Sequence, residues 1–364
     1  MKNRILVFCL FIFFATSYTQ AQEEVKAIFV GNNQGGTVSI IDSRSLEIVK
    51  TIDIIPDRNE KHKQSITNKY INRILGPKYV DDIDILPDGK RMVNSRPFFS
   101  DVALFDLNSG EMIWKLKLKH RPDHQVMTKD GKSLFVSLLA AKKGVKIDLE
   151  KKEVAGYYKT GSRPHSIVLN EDDSKLYNGS LKGNDIVIID TKTLDELDRL
   201  PFPAGVRPFK LSPDESTIYA QLSYCHCLVE YKVSEKKVVR QIDLPIPEEV
   251  KGIELKDYPF QAAHHGIGLS KNGKYISLAG TISNYVGIYT FPELEKVKVL
   301  ETGIEPSWIT DSFEGDIFFV SARKSNKVYA YSYSQQMLIK EFELGDYPQR
   351  MVRGTWKRDS SLER

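Results

Sequence analysis

One set of polar residues recurs along the chain at steps of 42 residues, with a single longer step of 58. Its seven members are Asp81, Asp123, His165, Arg207, His265, Ser307 and Gln349. None is hydrophobic, although 41% of the chain is. Two acidic members are followed by three imidazole or guanidinium members. A water-filled channel would tolerate any polar residue, but it would not require this grouping, so the set predicts a site for a polar ligand.

The basic members of this set suit anion recognition and proton transfer. Arg207, with Arg163 or Arg350 nearby, could hold a carboxylate through paired hydrogen bonds. His165 and His265 would then act as acid and base, because imidazoles titrate near neutral pH. Lyases, isomerases and lactonases need such groups. The sequence contains neither a Gly-x-Ser-x-Gly nor a His-Glu-x-x-His motif, so no catalytic motif identifies a reaction.

A metal ion is an alternative use of the same residues. Imidazole and carboxylate groups suit several divalent ions, and His165, His265, Asp81 and Asp123 belong to one set. Asp81 and His265 would lie on opposite sides of a seven-membered ring, so one ion could contact all four only in a narrow channel. We therefore assign no metal ligands from the sequence and leave the cofactor open, with a divalent metal as an alternative.

Three aromatic residues are candidates for stacking on a sugar or another planar ligand. They are Tyr224, Tyr285 and Trp308. Packing against neighbouring strands is the alternative, since aromatic residues often fill strand ends. These residues add a carbohydrate-derived molecule to the possible ligands.

The segment Cys225-His226-Cys227 has the residue types of a metal site but not the geometry. On a strand, the two sulfurs would share one face and His226 would take the other, so one ion could not easily bind all three. We expect two buried thiols and a histidine at the rim. The absence of further cysteines after residue 21 also leaves no disulfide framework.

The elements that position these residues follow from the repeat. Seven residues mark the end of a third strand in each unit: Asp42, Asp106, Asp148, Asp190, Lys232, Thr290 and Ser332. Each unit supplies four short strands, the size of a propeller blade. The start, residues 25–52, has three strands but no first strand, whereas residues 347–354 supply a first strand alone. The sequence therefore predicts an all-β, seven-bladed propeller, closed by pairing of the N- and C-terminal strands in one blade.

The polar set marks the start of the innermost strand of each blade, so its side chains should ring the mouth of the central channel. Two insertions, at about 53–78 and 244–260, fall between blades on the same face and could form a lid or rim. The alternative is that they are surface loops, which cost little closure entropy. The next position along each innermost strand should point into blade packing. That position includes His124, which we expect to be structural or to support neighbouring site residues rather than to be a ligand itself.

The repeats resemble a known family. Residues 184–193, NDIVIIDTKT, are followed by an Arg-Pro segment and a Ser-Pro-Asp turn, as in the YVTN-type, YncE-like seven-bladed propellers. The likeness covers nearly the whole chain after residue 21. No repeat contains the Tyr-Val-Thr-Asn sequence that gives the family its name, and the nearest copies are Phe-Val-Ser at 135–137 and 319–321. No Gly-His and Trp-Asp signature of WD40 propellers is present. The resemblance implies the propeller fold and leaves the activity open, because the family is functionally mixed.

The leader and the charge balance indicate where the protein acts. Residues 1–21 have a basic start, an apolar run and a Thr-Gln-Ala cleavage site, as in an export signal, so residues 22–364 form one periplasmic or secreted domain. The net charge of +4 is small and has no basic runs, which argues against nucleic acid. No later stretch is apolar enough to span a membrane. We expect binding of a small polar, anionic ligand; a His165/His265 enzyme and a protein-interaction scaffold remain alternatives.

Overall fold

The computed structural model describes residues 23–60 and 66–359, which form seven four-stranded antiparallel sheets. The chain begins with three strands of blade 7: β1 (Glu23–Asn32), β2 (Thr37–Asp42) and β3 (Ile48–Asp53). Blade 1 has β4 (Asp82–Ile85), β5 (Arg91–Arg96), β6 (Asp101–Asp106) and β7 (Met112–Lys117). Blade 2 has β8 (Pro122–Met127), β9 (Ser133–Leu138), β10 (Lys143–Asp148) and β11 (Glu153–Lys159). Blade 3 has β12 (Pro164–Leu169), β13 (Lys175–Ser180), β14 (Asp185–Asp190) and β15 (Glu196–Pro201).

The remaining blades follow the same order. Blade 4 has β16 (Val206–Leu211), β17 (Thr217–Leu222), β18 (Cys227–Lys232) and β19 (Lys237–Asp243). Blade 5 has β20 (Gly266–Leu269), β21 (Tyr275–Gly280), β22 (Tyr285–Thr290) and β23 (Lys296–Glu301). Blade 6 has β24 (Pro306–Asp311), β25 (Ile317–Ala322), β26 (Lys327–Ser332) and β27 (Met337–Glu343). The last strand, β28 (Pro348–Arg358), is the innermost strand of blade 7.

The two ends of the chain close the ring. β28 pairs antiparallel with β1, from Glu23 opposite Arg358 to Asn32 opposite Pro348. The innermost strands of neighbouring blades contact one another all the way round, including β28 against β4. The predicted seven-bladed architecture and its closure by the terminal strands are therefore confirmed.

The hydrophobic core is divided among the blade interfaces. Seven clusters of buried apolar side chains occupy the seven junctions between neighbouring blades. Because each blade is covered on both faces, an inner strand such as β14 (DIVIID) is buried at five of its six positions. The outermost strands have one solvent-facing side, and β19 (KVVRQID) accordingly alternates between exposed and half-buried residues.

The aspartates that mark the repeat act as turn residues. Oδ1 of Asp190 accepts hydrogen bonds from the backbone N–H groups of Lys192 and Thr193, both at 2.8 Å. Asp42, Asp106 and Asp148 bind the equivalent N–H groups after their own third strands. An aspartate that bonds to the backbone two and three residues ahead stabilises a turn. This local role explains why the marker recurs at a constant position in four blades.

The two predicted insertions connect the outermost strand of one blade with the innermost strand of the next. The first, between β3 and β4, contains a helix, α1 (Ile66–Leu75), that the sequence analysis did not predict. The second, between β19 and β20, contains three short 3-10 helices, Glu248–Val250, Leu255–Asp257 and Pro259–Gln261, and a fourth follows β25 at Arg323–Ser325. Within residues 23–60 and 66–359, no helix is long and apolar enough to cross a membrane. The predicted export signal lies outside the described residues.

Candidate functional site

The seven recurring polar residues lie at the start of the innermost strands, and all seven are buried. Neighbouring blades bring some of them into direct contact. Nδ1 of His165 lies 2.6 Å from Oδ2 of Asp123. Nδ1 of His265 lies 3.0 Å from the carbonyl oxygen of Ser307. Each imidazole is thus held by an acceptor from an adjoining blade, which orients its Nε2 atom.

The two oriented imidazoles meet across the channel. Nε2 of His165 lies 3.1 Å from Nε2 of His265. Burial lowers the pKa of both residues well below 6.5, and the charge of Arg207 lowers both further. The two rings are therefore neutral at pH 7, with Nδ1–H donating to its acceptor and a lone pair on each Nε2.

A third imidazole completes this cluster. The ring of His124 lies against that of His165, with centroids 3.9 Å apart. Nδ1 of His124 lies 3.3 Å from Nη1 of Arg350, whereas its buried Nε2 has no hydrogen-bond partner among the described residues. One ring nitrogen from each of His124, His165 and His265 lies within 4.8 Å of the other two. The sequence analysis did not expect His124 to be a ligand and so missed this grouping.

A cavity of about 230 Å³, here called the lidded cavity, lies over His165 and His265. Five cationic residues line it: Lys78, Arg121, Arg163, Arg207 and Arg323. The other lining residues include Asp123, Gln349 and the apolar side chains of Ile71, Leu139, Leu181 and Phe260. Five basic groups around one lining carboxylate make this cavity strongly favourable for an anion.

The insertions form the lid of this cavity. α1 contributes Ile71, and the second insertion contributes Phe260. The two segments meet where Nζ of Lys78 lies 5.5 Å from the centre of the Phe260 ring. The guanidinium of Arg323 lies 4.4 Å from the same ring centre. Phe260 therefore joins both insertions and blade 6 through cation–π contacts.

Arg207 is anchored below this lid. Its Nε donates to Oγ of Ser223 at 3.0 Å, and its Nη2 donates to the carbonyl oxygen of Phe260. Burial, together with the charges of Arg163 and Arg323, lowers the pKa of Arg207 to about 10. The side chain consequently remains charged at neutral pH while it is almost completely shielded from solvent.

Arg121 is a site residue that the sequence analysis missed. Its Nη1 donates to Oδ1 of Asn72 on α1 at 2.8 Å. Its Nη2 is buried without a hydrogen-bond partner in the described part of the chain. Arg121 precedes Asp123 by two positions, as Arg163 precedes His165. Comparing this position, two residues before the polar set, across all the blades would have found it.

A second cavity, of about 420 Å³, lies further along the innermost strands. Here called the far cavity, it is lined by His124, Asp82, Asp84, Lys210, Trp308 and Arg350, among others. The guanidinium of Arg350 lies 3.6 Å from the centre of the Trp308 ring and pairs with Asp82. Burial, and next the charge of Asp82, raise the pKa of Asp84 to about 7. Trp308 and Arg350 therefore belong to this far cavity and are separated from Arg207.

The other residues singled out from the sequence line neither of these cavities. Asp81 is buried, and burial raises its pKa to about 6 despite Lys78 at 3.6 Å. The hydroxyl of Tyr285 donates to the carbonyl of Pro245 at 3.1 Å, at the start of the second insertion. The backbone N–H of Tyr224 donates to the carbonyl of Gln261 at 3.0 Å. Neither tyrosine lines the lidded cavity.

The cysteines depart from the sequence expectation. Cys225 and Cys227 form a disulfide, with Cα atoms 5.1 Å apart, so the prediction of two thiols is wrong. The alternation argument assumed that both residues lie on a strand. Cys225 and His226 instead lie in the connection before β18, which begins only at Cys227. The bent backbone there lets the two sulfurs meet.

Comparison with known proteins supports the fold alone. No family model matches the chain, and no curated protein sequence matches it. A candidate 6-phosphogluconolactonase from Bacteroides fragilis superposes with a TM-score of 0.68 at 14% identity, covering 93% of this chain and 99% of that one. Hydrazine synthase of Kuenenia stuttgartiensis matches with a TM-score of 0.48 at 17% identity, covering 70% of this chain and 96% of that one. The chain is a seven-bladed β-propeller.

Proposed function

We propose that this protein binds a small anionic molecule in the lidded cavity. The observation that carries the proposal is the convergence of five cationic side chains on about 230 Å³ beside the histidine pair. Guanidinium groups bind carboxylates and phosphates through paired, charge-assisted hydrogen bonds. Arg207 is the principal contact, because its burial strengthens its interaction with a charged ligand.

The size and lining of the cavity define the ligand class. Pockets for drug-sized molecules measure about 300–1,000 Å³, so 230 Å³ favours a smaller molecule. Leu139 and Leu181 would pack against a short carbon skeleton, and Gln349 offers a neutral polar contact. A carboxylate or phosphate ester of a small polar molecule, such as a sugar acid, fits this combination.

Unsatisfied donors support the same conclusion. Nη2 of Arg121 and Nε of Arg323 are buried and have no hydrogen-bond partner among residues 23–60 and 66–359. A buried donor without a partner costs about 1–3 kcal/mol, and more when it is charged. Both arginines line the lidded cavity, and a shift of either side chain toward a bound anion would give its unpartnered N–H group an acceptor.

A second function, catalysis on the bound anion, is favoured by the contact between Asp123 and His165. A carboxylate 2.6 Å from Nδ1 orients the imidazole of His165, which lines the lidded cavity, as general acid–base catalysis requires. The lactonase-like neighbour is consistent with such an enzyme, as a lactonase, lyase or isomerase. We also propose that the protein is exported and belongs with the YVTN-type propellers, on the basis of its leader and repeats.

The binding proposal is tested by calorimetry with gluconate, 6-phosphogluconate and inorganic phosphate as ligands. Arg207→Ala should weaken the binding of the best of these about 10- to 100-fold, because a charged hydrogen bond contributes about 1.5–3 kcal/mol. Arg44→Ala is the matched control, since Arg44 is an exposed arginine whose ion pair, within the described part of the chain, is with Glu314. Unchanged affinity in Arg207→Ala would refute the assignment of the lidded cavity.

The second function requires a different readout. Native mass spectrometry of protein from its own host would identify any ligand retained during purification. If that ligand is a substrate, His165→Ala should abolish turnover and leave binding largely intact. Equal loss of binding and turnover would instead assign His165 to ligand recognition.

A further inference from the structure

The imidazole cluster separates the two cavities of the channel. His165 and His265 line the lidded cavity, whereas His124 lines the far cavity. All three side chains are buried. Neutral imidazole nitrogens that converge in a buried space are ligands for transition-metal ions.

The hydrogen bonds of two histidines direct their lone pairs to one point. Nδ1–H of His165 donates to Asp123, and Nδ1–H of His265 donates to the Ser307 carbonyl. Both Nε2 atoms then carry lone pairs, and they are 3.1 Å apart. Two lone pairs at this separation repel each other unless a proton or a cation lies between them. Histidine ligands in metal sites are oriented by this kind of carboxylate or carbonyl partner.

We propose that His124, His165 and His265 together bind one divalent first-row transition-metal ion, of which Zn²⁺ and Cu²⁺ are the best matches. With metal–nitrogen bonds of about 2.0–2.1 Å, the Nε2 separation of 3.1 Å corresponds to a ligand–metal–ligand angle of roughly 95–100°. The angle lies within the range of distorted tetrahedral and square-based sites. Three protein nitrogens also leave a further coordination position open, as in catalytic zinc sites.

His124 is the ligand that must adjust. Its nearest ring nitrogen lies within 4.8 Å of the other two, whereas ligands of a tetrahedral ion lie about 3.3 Å apart. To bind the ion, the ring of His124 has to move until its unpartnered Nε2 reaches the metal. Arg350 then gives up its contact with Nδ1 of His124 and keeps its ion pair with Asp82.

Carboxylates near the cluster offset the charge of the ion. Asp123 contacts His165 directly, and Asp81 belongs to the same ring of residues. The ligands differ from the set considered in the sequence analysis, in which Asp81 and Asp123 were to bind the metal themselves. In the proposed site, Asp123 orients a ligand and His124 takes a coordination position.

The metal site does not depend on the proposed anion binding, but it excludes one form of catalysis. An Nε2 atom that binds a metal has no lone pair with which to accept a proton. His165 and His265 therefore cannot act as acid and base while they hold the ion. Measuring turnover of any identified substrate before and after metal loading separates these two uses.

The test is metal titration of untagged protein that has been treated with a chelator and dialysed. We expect calorimetry to show one tight site for Zn²⁺ and for Cu²⁺, and the Cu²⁺ spectrum by pulsed electron paramagnetic resonance to report three imidazole nitrogens. His124→Gln, His165→Gln and His265→Gln should each weaken binding at least 100-fold. Asp123→Asn should weaken it about 10- to 100-fold by disturbing the orientation of His165.

His120→Gln is the matched control, because His120 is a partly exposed histidine outside the cluster and should leave affinity unchanged. Circular dichroism establishes that each variant is folded before titration. Two results would overturn the proposal: binding retained in all three cluster variants, or a Cu²⁺ spectrum of the wild type without imidazole nitrogen. The spectrum of the wild type decides the matter even if a variant fails to fold.

Discussion

His165 donates a hydrogen bond from Nδ1 to Oδ2 of Asp123 across 2.6 Å, and the two residues are 42 positions apart in the chain. This interval is one repeat, so the contact joins equivalent positions in neighbouring blades. His265 and the Ser307 carbonyl are related by the same interval. His165 and His265, by contrast, are 100 residues apart and come from blades that are not adjacent, yet their Nε2 atoms lie 3.1 Å apart. The channel is narrow enough for blades 3 and 5 to share one site.

The first insertion is attached to blade 1 by a buried arginine. Arg96, whose side chain is 0% exposed, binds Asp57 in the insertion through Nη1 and Nη2, and Asp101 at the start of β6 through Nε and Nη2. Removing one member of a buried ion pair leaves an uncompensated charge. We expect Arg96→Ala to lower the free energy of unfolding by about 3–5 kcal/mol, measured by urea denaturation.

The control for this variant is Arg91→Ala. Arg91 pairs with Asp88, and the two side chains are 44% and 33% exposed. Exposed pairs contribute about 0–1 kcal/mol, so a much smaller loss is expected. Equal losses in the two variants would show that burial of the Arg96 network is not what stabilises the insertion.

Asp57 gives this attachment a dependence on pH. Burial would raise the pKa of Asp57, but hydrogen bonds from Arg96 and Lys115 hold it at about 2, below its usual 3.8. A carboxylate whose pKa is lower in the folded state stabilises the protein above pH about 4, and this contribution is lost as pH falls toward 2. Between about pH 4 and 2 we expect the free energy of unfolding to fall by about 1–2 kcal/mol more in the wild type than in Asp57→Asn.

Other charged groups around Asp57 are Asp101, Lys117 and Glu60. Burial raises the pKa of Asp101, the opposite direction to that of Asp57, so Asp101 would partly mask the effect in the wild type alone. Because Asp101 is present in both proteins, the difference in stability between the wild type and Asp57→Asn reports the contribution of Asp57. Parallel stability curves from pH 5 to 2 would contradict the prediction.

Closure of the ring depends on packing around Trp356. Its indole is fully buried in the cluster between blades 7 and 1, and its Nε1 donates to Oδ1 of Asn108 at 3.0 Å. We expect Trp356→Ala to lower the free energy of unfolding by about 3–5 kcal/mol, as for other large core truncations. Trp114→Ala should cost clearly less, since Trp114 is only partly buried on the outermost strand of blade 1. Chemical denaturation of both variants measures the difference.

The Cys225–Cys227 disulfide closes a very short loop. The loss of chain entropy that a cross-link imposes on the unfolded state grows with loop length, so a three-residue loop contributes only about 1–2 kcal/mol. We expect the double variant Cys225→Ser/Cys227→Ser to lose that amount and to remain folded. A thiol assay on denatured, unreduced protein starting at residue 22 should detect no free thiol; two thiols per chain would show that the bond is absent.

The sequence alone determined the repeat and the local structure that short-range interactions dictate. Alternating apolar residues indicate strands because side chains on a strand point to opposite faces. Asp190 and its equivalents indicate turns because their carboxylates bind backbone only two or three residues away. A constant interval between such signals determines the number of blades and the residues that open each innermost strand. The blade count, the ring closure and the positions of the polar residues at the start of the innermost strands could therefore be predicted.

Only the tertiary structure decided which of those residues meet. His265 meets His165 because the channel is narrow, and Phe260 reaches the lidded cavity through an insertion that has no repeat. The helix α1 and the Cys225–Cys227 bond lie in irregular segments of the same kind. Their conformations depend on packing between residues far apart in the chain, and no local pattern encodes those distances. The repeat specifies the positions that face the channel, and the packing of the blades and insertions assembles them into a site.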